Sequence, residues 1–471
     1  MNTVGNKTLP SEDPLIRLYV DLADERSACA SWISDRVVGD IFSNAQTTAR
    51  QVLQQSSAPE DSWQNKLDRL VTSRRFGYPF MFLLLIGIFW LTISGSNVPS
   101  TLLAQGLFAL EDWLRGCFLA LGSPAWLHGL LISGVYHTLA WVVSVMLPPM
   151  AIFFPLFTYL EDLGYLPRVA FNLDHLFQKA NACGKQCLTM CMGFGCNAAG
   201  VVSTRIIHSP RERLIAILTN NFVPCNGRFP TLIAIATIFT TGGAYLAYQQ
   251  AAVAAAIAGV IFIGLGFTFL ISWGLAKTVL QGESSSLVLE LPPYRRPQFW
   301  PVLYRSLIDR TLFVLRRAVF IAAPAGAIIW LLSNCYWGDA NLITHAAAFL
   351  DPFARFFGLD GFILMAFILG LPANEIVIPI LLMSYLSSAS LQDIQSLAQL
   401  RGVLLANGWT WLTAVNVLLF SLLHWPCSTT LLSIYKETGS LKWTLLAFAL
   451  PSATAFSMCL LVTQVARLLG L

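Results

Sequence analysis

The sequence predicts an all-α, polytopic membrane protein of about eight to ten transmembrane helices, some of them broken. Of its 471 residues, 56% are hydrophobic and only 11% are charged, whereas soluble domains carry about 25% charged residues. The apolar residues gather in stretches near the ~20 residues that a helix needs to cross a bilayer. The candidate spans are 79–97, 127–147, 149–161, 187–204, 212–242, 246–279, 312–334, 360–387, 402–432 and 443–469.

A degenerate internal repeat predicts that the chain has two related halves. An offset of 177 residues aligns four features without a gap. The aligned pairs are Leu173-Asp174 with Leu350-Asp351, Gly184 with Gly361, Gly193 with Gly370, and Asn197 with Asn374. Each copy is followed by a Pro-Cys pair, Pro224-Cys225 or Pro426-Cys427. Because many transporters hold their substrate on interrupted helices where two repeats meet, this pattern predicts a transporter.

Polarity and charge divide the chain into four predicted regions. Residues 1–74 are polar and helical in pattern, chiefly over 11–57, and Lys and Arg crowd the entry to the first apolar stretch. The positive-inside rule therefore predicts a cytoplasmic N-terminus. The remaining regions are a first transmembrane repeat, a cytoplasmic basic linker and a second transmembrane repeat, over 75–280, 281–311 and 312–471.

Proline and glycine interrupt the apolar stretches and predict broken helices. The interruptions fall at Pro148-Pro149, Gly193/Gly195, Pro224, Pro372 and Pro426. Inside a bilayer, the backbone groups freed at such breaks must meet neighbouring protein or a wet cavity. Five breaks distributed over both repeats favour a cavity over simple packing kinks. The stretch 101–121 is amphipathic, because it mixes charged and apolar residues, and we expect it to lie at the outer interface of the membrane.

Cysteines near the first break are candidates for metal binding. Cys196-Asn197 lies in an apolar run beside glycines, and Cys183, Cys187 and Cys191 precede it on one helix face. Thiolates bind zinc, copper(I) and iron in preference to magnesium and calcium, so a thiol stripe is suited to pass such an ion to the Cys-Asn turn. Free cysteine is also a small packing residue. We favour packing for the stripe and function for Cys196.

Glu375, which follows Asn374 in an apolar stretch, is the sharpest single candidate. A carboxylate at the bilayer centre costs at least ~2.5–3.5 kcal/mol on insertion scales. The compensating partner is a metal ion, a proton or a cation such as Arg228; a purely structural buried ion pair is the alternative.

The two Pro-Cys breaks add further candidates. Cys225 and Cys427 lie in runs that also hold amide side chains and His424. Cysteine, carboxylate and amide oxygen together suit a transported ferrous ion better than a closed structural cage.

Familiar catalytic motifs are absent from these residues. The sequence contains no Gly-x-x-x-x-Gly-Lys-[Ser/Thr] phosphate loop, no His-Glu-x-x-His and no Gly-x-Ser-x-Gly. We therefore expect no nucleotide-binding site, no permanent cofactor and no nucleic-acid partner, and an intramembrane enzyme is the least favoured class.

Eight motifs in one order connect the chain to a known family. Those of the first half are Lys66-Leu-Asp-Arg69, Leu160-Glu-Asp-Leu-Gly-Tyr165 with Arg168, Gly193-Phe-Gly-Cys-Asn197 with Thr204-Arg205, and Cys225-Asn-Gly-Arg-Phe-Pro230. Those of the second half are Leu289-Glu-Leu-Pro-Pro-Tyr-Arg295, Asn374-Glu375, Pro426-Cys427 and Lys436-Glu-Thr-Gly-Ser-Leu-Lys-Trp443. From about Asn65 to Leu471 the sequence resembles the membrane part of the FeoB family of bacterial ferrous-iron transporters.

The resemblance implies an inner-membrane permease whose two repeats are Gate regions. It implies an iron path at Cys196, Cys225 and Cys427, with Glu375 beside them. Two departures stand out: a family member typically begins with a G-protein domain, which these residues lack, and many members carry Lys beside the Glu of Asn374-Glu375. The expected partners are the lipid bilayer, a separate G-protein or a small cytoplasmic Feo-type protein, and further copies of the chain.

Other functions stay open on sequence grounds. The transported solute is ferrous iron, another divalent metal such as manganese or zinc, or a nucleoside-like molecule, since Gate-type repeats also occur in nucleoside permeases. A non-transporting membrane scaffold or regulator is a different class. It would tolerate alanine at Cys196 and Glu375.

Overall fold

The structure is a computed structural model, and it divides into two compact units. These units are Met1–Lys66 and Leu67–Leu471. The residues that it describes are 40–41, 43–48, 63–73, 75–180, 182–240, 246–281, 294, 298–338, 340–386 and 397–470. In the first unit, residues 40–41 and 43–48 are helical and exposed. The rest of the helices predicted over 11–57, and residues 282–293 and 295–297 of the predicted linker, lie outside the described residues.

The first half of the chain is built from helices. They are α1 (Trp63–Val71), α2 (Gly77–Ala120), α3 (Ala125–Asp162), α4 (Tyr165–Lys179), α5 (Lys185–Gly195), α6 (Asn197–Ser203), α7 (Pro210–Thr219), α8 (Phe229–Thr240) and α9 (Leu246–Thr278). Within α3, residues Gly129–Tyr136 form a π-helical segment. Short 3₁₀ turns at Asn220–Phe222 and Asn226–Arg228 connect α7 to α8.

The second half repeats this plan, with one short hairpin. Its helices are α10 (Phe299–Asn334), α11 (Leu342–Phe356), α12 (Gly361–Leu369), α13 (Val377–Tyr385), α14 (Leu397–Ala406), α15 (Trp411–Leu423), α16 (Ser428–Thr438) and α17 (Leu441–Leu468). Two-residue strands β1 (Tyr336–Trp337) and β2 (Ala340–Asn341) pair antiparallel between α10 and α11. Helix α10 begins at Phe299, upstream of the boundary that the sequence predicts at 311/312.

The all-α membrane class is confirmed. Among the described residues, seven helical segments are long and apolar enough to cross a bilayer, or eight if the pair α11–α12, bent by 111°, is one span. The segments around Cys196 and Glu375, predicted as full spans, are instead short helices joined at breaks.

Two details of the first half differ from expectation. The predicted span 79–97 is part of α2, a single helix of 44 residues that continues over 101–120, about 66 Å long at 1.5 Å per residue. The Pro148-Pro149 pair lies inside an unbroken part of α3. Interior prolines remove helix hydrogen bonds, but tertiary packing overrides local propensity, and the residues around this pair are buried against the bundle.

The internal repeat is confirmed in three dimensions. Helices α4 and α11 are displaced by 177 residues at both ends. In each copy an aspartate caps the next helix: Asp174 Oδ1 accepts from Gly184 N at 2.8 Å, and Asp351 Oδ1 accepts from Gly361 N at 3.0 Å. These contacts explain why the Asp and Gly pairs recur at one offset.

The break that follows also recurs in both copies. Cys196 has φ −156° and ψ 124°, and Ala373, at the same offset, has φ −153° and ψ 125°. In each copy the extended residue is followed by an asparagine that begins the next helical segment, Asn197 or Asn374. The repeat therefore reproduces a helix, an extended residue and a second helix.

A buried arginine ties the start of the membrane unit together. Arg168 donates from Nε to Asp68 Oδ1 at 2.7 Å, and its guanidinium lies 3.9 Å from the centre of the Tyr294 ring. Burial alone would raise the pKa of Asp68, but the hydrogen bonds from Arg168 and Tyr294 outweigh it and hold that pKa below its usual value. This contact joins α1, α4 and the region between the repeats.

Candidate functional site

All four breaks of the two repeats meet at one small cavity. Its volume is about 30 Å³, roughly the space of one water molecule. Its wall is formed by Met146, Met150, Gly195, Cys196, Asn197, Cys225, Asn226, Gly227, Val314, Ala318, Pro372, Ala373, Asn374, Glu375, Cys427 and Thr429. The six primary candidates from the sequence, three cysteines, two asparagines and Glu375, are therefore brought together.

The Pro-Cys breaks place thiols at the starts of helices. Cys427 is extended, with φ −63° and ψ 158°, and precedes the first residue of α16. Cys225 takes the same position before the turn that leads into α8. The Cys427 sulfur lies 3.2 Å from Thr430 Oγ1, one turn into α16. Each thiol is thus fixed by its backbone break rather than carried on a flexible loop.

Glu375 reaches the cavity from the first turn of a helical segment. It is partly accessible and lies against Gly227, where a Cβ atom would come within 2.2 Å of its Oε1. The first turn of a helix favours negative charge through the aligned peptide dipoles. Among the described residues, no cation lies within ion-pair distance of Glu375, so a structural ion pair does not explain this carboxylate.

Arg228 has a different role from the one considered from sequence. Its Nη1 donates to the carbonyl oxygens of Asn221 and Leu422, both at 2.8 Å, and its Nη2 donates to those of His424 at 3.1 Å and Trp425 at 3.3 Å. The guanidinium thus satisfies the carbonyl groups freed at the two Pro-Cys breaks. Arg228 holds the repeats together and does not line the cavity.

His424 positions Asn374 from behind the cavity wall. Its Nδ1 lies 2.9 Å from the Ser421 carbonyl oxygen, and because a carbonyl only accepts, Nδ1 carries the proton. Its Nε2 lies 3.3 Å from Asn374 Oδ1. On its other side, the Asn374 amide donates from Nδ2 to Cys225 Sγ at 3.8 Å.

Buried asparagines connect the first break to this network. Asn197 Nδ2 lies 3.3 Å from Asn221 Oδ1, and Asn220 Nδ2 donates to the Asn197 carbonyl oxygen at 3.1 Å. Gly193 and Gly200 leave the space that the Asn220 amide fills, since a Cβ on either glycine would lie 2.7 Å from it. The glycines of the sequence motif thus serve close helix packing.

The thiol stripe does not feed the cavity. Cys183 packs with Ile207 and Ala216, and Cys187 lies in a separate apolar cluster. Cys191 packs against that cluster and against the one that contains Cys196. None of the three lines the cavity. These positions in the protein core support the packing interpretation of the stripe, which stays a prediction.

Sequence reasoning missed two methionines in the wall. Met146 and Met150 of α3 line the cavity. Their thioethers are soft metal ligands, as cysteine thiolates are. Their spacing of four residues around Pro148-Pro149 was the available signal. The proline pair instead predicts a break, which would separate the two side chains.

The arrangement offers soft and hard ligands without a closed cage. In the part of the chain that the structure describes, no three His, Cys, Asp or Glu side chains come close enough to hold a metal ion. Sulfur, amide oxygen and carboxylate groups instead surround a space of one ion or one water. Such a site favours brief coordination over permanent binding.

These features define a multi-pass membrane protein built from two Gate repeats around an intramembrane cavity. A family model described as "Nucleoside recognition" (Gate) matches residues 143–239 and 315–441, and one described as "Ferrous iron transport protein B C terminus" matches residues 257–309. The chain belongs to the FeoB family, whose curated relatives are named Fe(2+) transporter FeoB.

The relatives match over most of this chain. The Synechocystis sp. protein is 30% identical over 93% of this chain and 68% of its own length. The Staphylococcus aureus (strain COL) protein is 28% identical over 90% of this chain and 62% of its own length, and the Campylobacter jejuni protein is 25% identical over 86% and 65%. The chain thus spans about 62% of the first of the S. aureus relatives. No solved structure matches the chain.

Proposed function

We propose that this chain forms a transmembrane path for ferrous iron in the bacterial inner membrane. The observation that carries the proposal is the meeting of four helix breaks, two from each repeat, at one cavity lined by Cys196, Cys225, Cys427 and Glu375. Ferrous iron is borderline in softness and accepts sulfur, nitrogen and oxygen ligands. The curated relatives bear the name of an Fe(2+) transporter.

The incomplete ligand set suits transport. An ion in transit must bind strongly enough to leave water and weakly enough to move on. Glu375 is the acidic residue among the described residues of the wall, and no cation among them pairs with it. The cysteines and the Asn374 amide supply neutral or soft contacts. We infer that the ion meets these groups in succession rather than all at once.

The size of the cavity favours an ion over a nucleoside. Pockets that enclose drug-sized molecules are typically about 300–1,000 Å³, ten times or more the 30 Å³ available here. A nucleoside would require the repeats to separate widely. Manganese or zinc would fit the same space, so the choice among divalent ions rests on the thiols, which favour zinc and iron over harder ions.

We further propose that the N-terminus lies in the cytoplasm and that these residues do not bind GTP. The first proposal rests on the Lys and Arg that precede α2. The second rests on the lack of a phosphate loop in the sequence. A separate G-protein or a small cytoplasmic Feo-type protein would then act as partner, and further copies of the chain would assemble around it.

Uptake into liposomes tests the proposed substrate. The purified chain is reconstituted without oxygen into liposomes that contain a ferrous chelator, and iron entry is followed by its absorbance. We expect entry that manganese inhibits weakly and nucleosides do not inhibit. Entry equal to that of protein-free liposomes would contradict the proposal. Inhibition by a nucleoside at the concentration that saturates iron would favour the nucleoside alternative.

A further inference from the structure

A second cavity lies beside the first and has a different chemistry. Its volume is about 240 Å³. Its wall is formed by Met192, Ala198, Ala199, Val202, Ser203, Arg205, Ile206, Phe313, Val314 and Arg317. Val314 lines both cavities, and α6 contributes to both walls. Its first residue, Asn197, lines the first cavity, and its residues Ala198, Ala199, Val202 and Ser203 line the second one.

The polar groups of this wall are strongly basic. Arg205 pairs with Glu437 at 2.7 Å, and Arg213 pairs with the other oxygen of the same carboxylate at 2.6 Å. Arg317 donates to Ser433 Oγ at 2.7 Å on the same helix as Glu437. Arg205 and Arg213 thus share one carboxylate, and Arg317 adds a third positive charge that has no carboxylate partner of its own among the described residues. The excess positive charge disfavours a metal ion and favours an anion.

The remaining wall is mostly apolar, and two of its hydrophobic side chains are exposed. Phe313 is 46% exposed and Ile206 is 38% exposed, while the Arg317 guanidinium lies 4.0 Å from the centre of the Phe313 ring. An occupant therefore meets guanidinium groups and exposed hydrocarbon side by side. That combination fits an amphiphile with an anionic head and not a small hydrophilic anion.

We propose that this cavity binds the headgroup of an anionic phospholipid. The phosphate would accept hydrogen bonds from Arg205 and Arg317. The part of an acyl chain nearest to the headgroup would lie along Phe313 and Ile206. Basic pockets between transmembrane helices are a common mode of anionic lipid recognition. The volume of 240 Å³ accommodates part of a lipid, whose tails would remain in the bilayer.

A lipid in this position would contact α6 and Val314 directly. Both also form the wall of the iron cavity. The lipid would therefore stabilise one arrangement of the first break against α10, because a ligand favours the state that it binds better. Lipid binding itself does not depend on which solute the protein carries, so it is tested separately.

Native mass spectrometry of the delipidated full chain tests the proposal. Dioleoyl phosphatidylglycerol is titrated against dioleoyl phosphatidylcholine. We expect phosphatidylglycerol to bind about 25-fold more tightly, since each of the two arginines near an anionic lipid contributes roughly a fivefold preference. Arg317→Gln should reduce the preference to about fivefold, and Arg317→Lys should retain most of it.

Two further variants separate the cavity from general charge. Arg401→Gln removes an exposed arginine that does not line the cavity, and it should leave the preference unchanged. Ala199→Phe keeps both arginines but fills the space, and it should abolish the tight binding. Melting in detergent checks that each variant is folded.

Three outcomes would overturn the proposal. One is an unchanged lipid preference in a folded Arg317→Gln protein, and another is an unchanged preference in Ala199→Phe. The third is displacement of the lipid by soluble glycerol 3-phosphate at an equal concentration, which would assign the site to a soluble phosphate compound instead.

Discussion

Replacing Glu375 by glutamine keeps the shape of the side chain and removes its charge. Arg228 donates to backbone oxygens, so glutamine strands no buried cation. A stranded cation would lower the free energy of unfolding by about 3–5 kcal/mol. Here the loss of a favourable helix-dipole contact, about 0.3–1 kcal/mol, is opposed by relief of the ~2.5–3.5 kcal/mol that a carboxylate costs inside a bilayer. We expect stability to be unchanged or higher.

The effect on transport should be much larger. Interactions with a charged group contribute about 1.5–3 kcal/mol, which corresponds to roughly a 10- to 150-fold change in binding. Iron uptake at low concentration should fall by that factor in Glu375→Gln. Thermal melting in detergent and anaerobic uptake are measured on the same preparation. A variant that melts far lower, yet transports normally per folded molecule, would show that Glu375 is structural and refute the reasoning.

Three other predictions concern the same unit. In Gly227→Ala the new Cβ would lie 2.2 Å from Glu375 Oε1, so the carboxylate must move and iron uptake should fall. In the control Gly266→Ala the new Cβ meets nothing within 4 Å, so uptake should equal that of the wild type. Equal uptake in both variants would count against the placement of Glu375. Arg228→Met leaves several buried carbonyl groups unpaired and should lower the free energy of unfolding by at least about 3 kcal/mol, and an unchanged melting temperature would argue against the clamp. The purified chain should show no GTP hydrolysis and no micromolar GTP binding by calorimetry, since it contains no phosphate loop; tight binding would overturn this.

The repeat and its breaks could be predicted from sequence because both depend on local chemistry. Glycine and proline mark points where helix hydrogen bonding stops, and the Asp174–Gly184 cap uses two residues close in the chain. Cys196 and Glu375 are conspicuous because polar groups are rare in apolar stretches. Duplication then doubles each signal, so the two halves can be recognised from a few matching residues.

Features that depend on distant contacts could not be predicted in this way. The Pro148-Pro149 pair is a local helix breaker, yet packing keeps α3 continuous and places Met146 and Met150 side by side in the cavity wall. Arg228 looked like a partner for Glu375, but its actual acceptors are carbonyl groups of both repeats. Sequence spacing does not reveal which oxygen atoms a folded chain leaves unpaired.

The central claim is that Cys196, Cys225 and Cys427 line one iron path. The direct measurement is anaerobic iron-59 uptake by a variant with serine at all three positions. Its matched control carries serine at Cys183, Cys187 and Cys191, which are packed away from the cavity. We predict that the first variant loses most of its uptake at normal expression, while the control retains it. Unchanged uptake in the first variant, or an equal loss in the control, would contradict the claim.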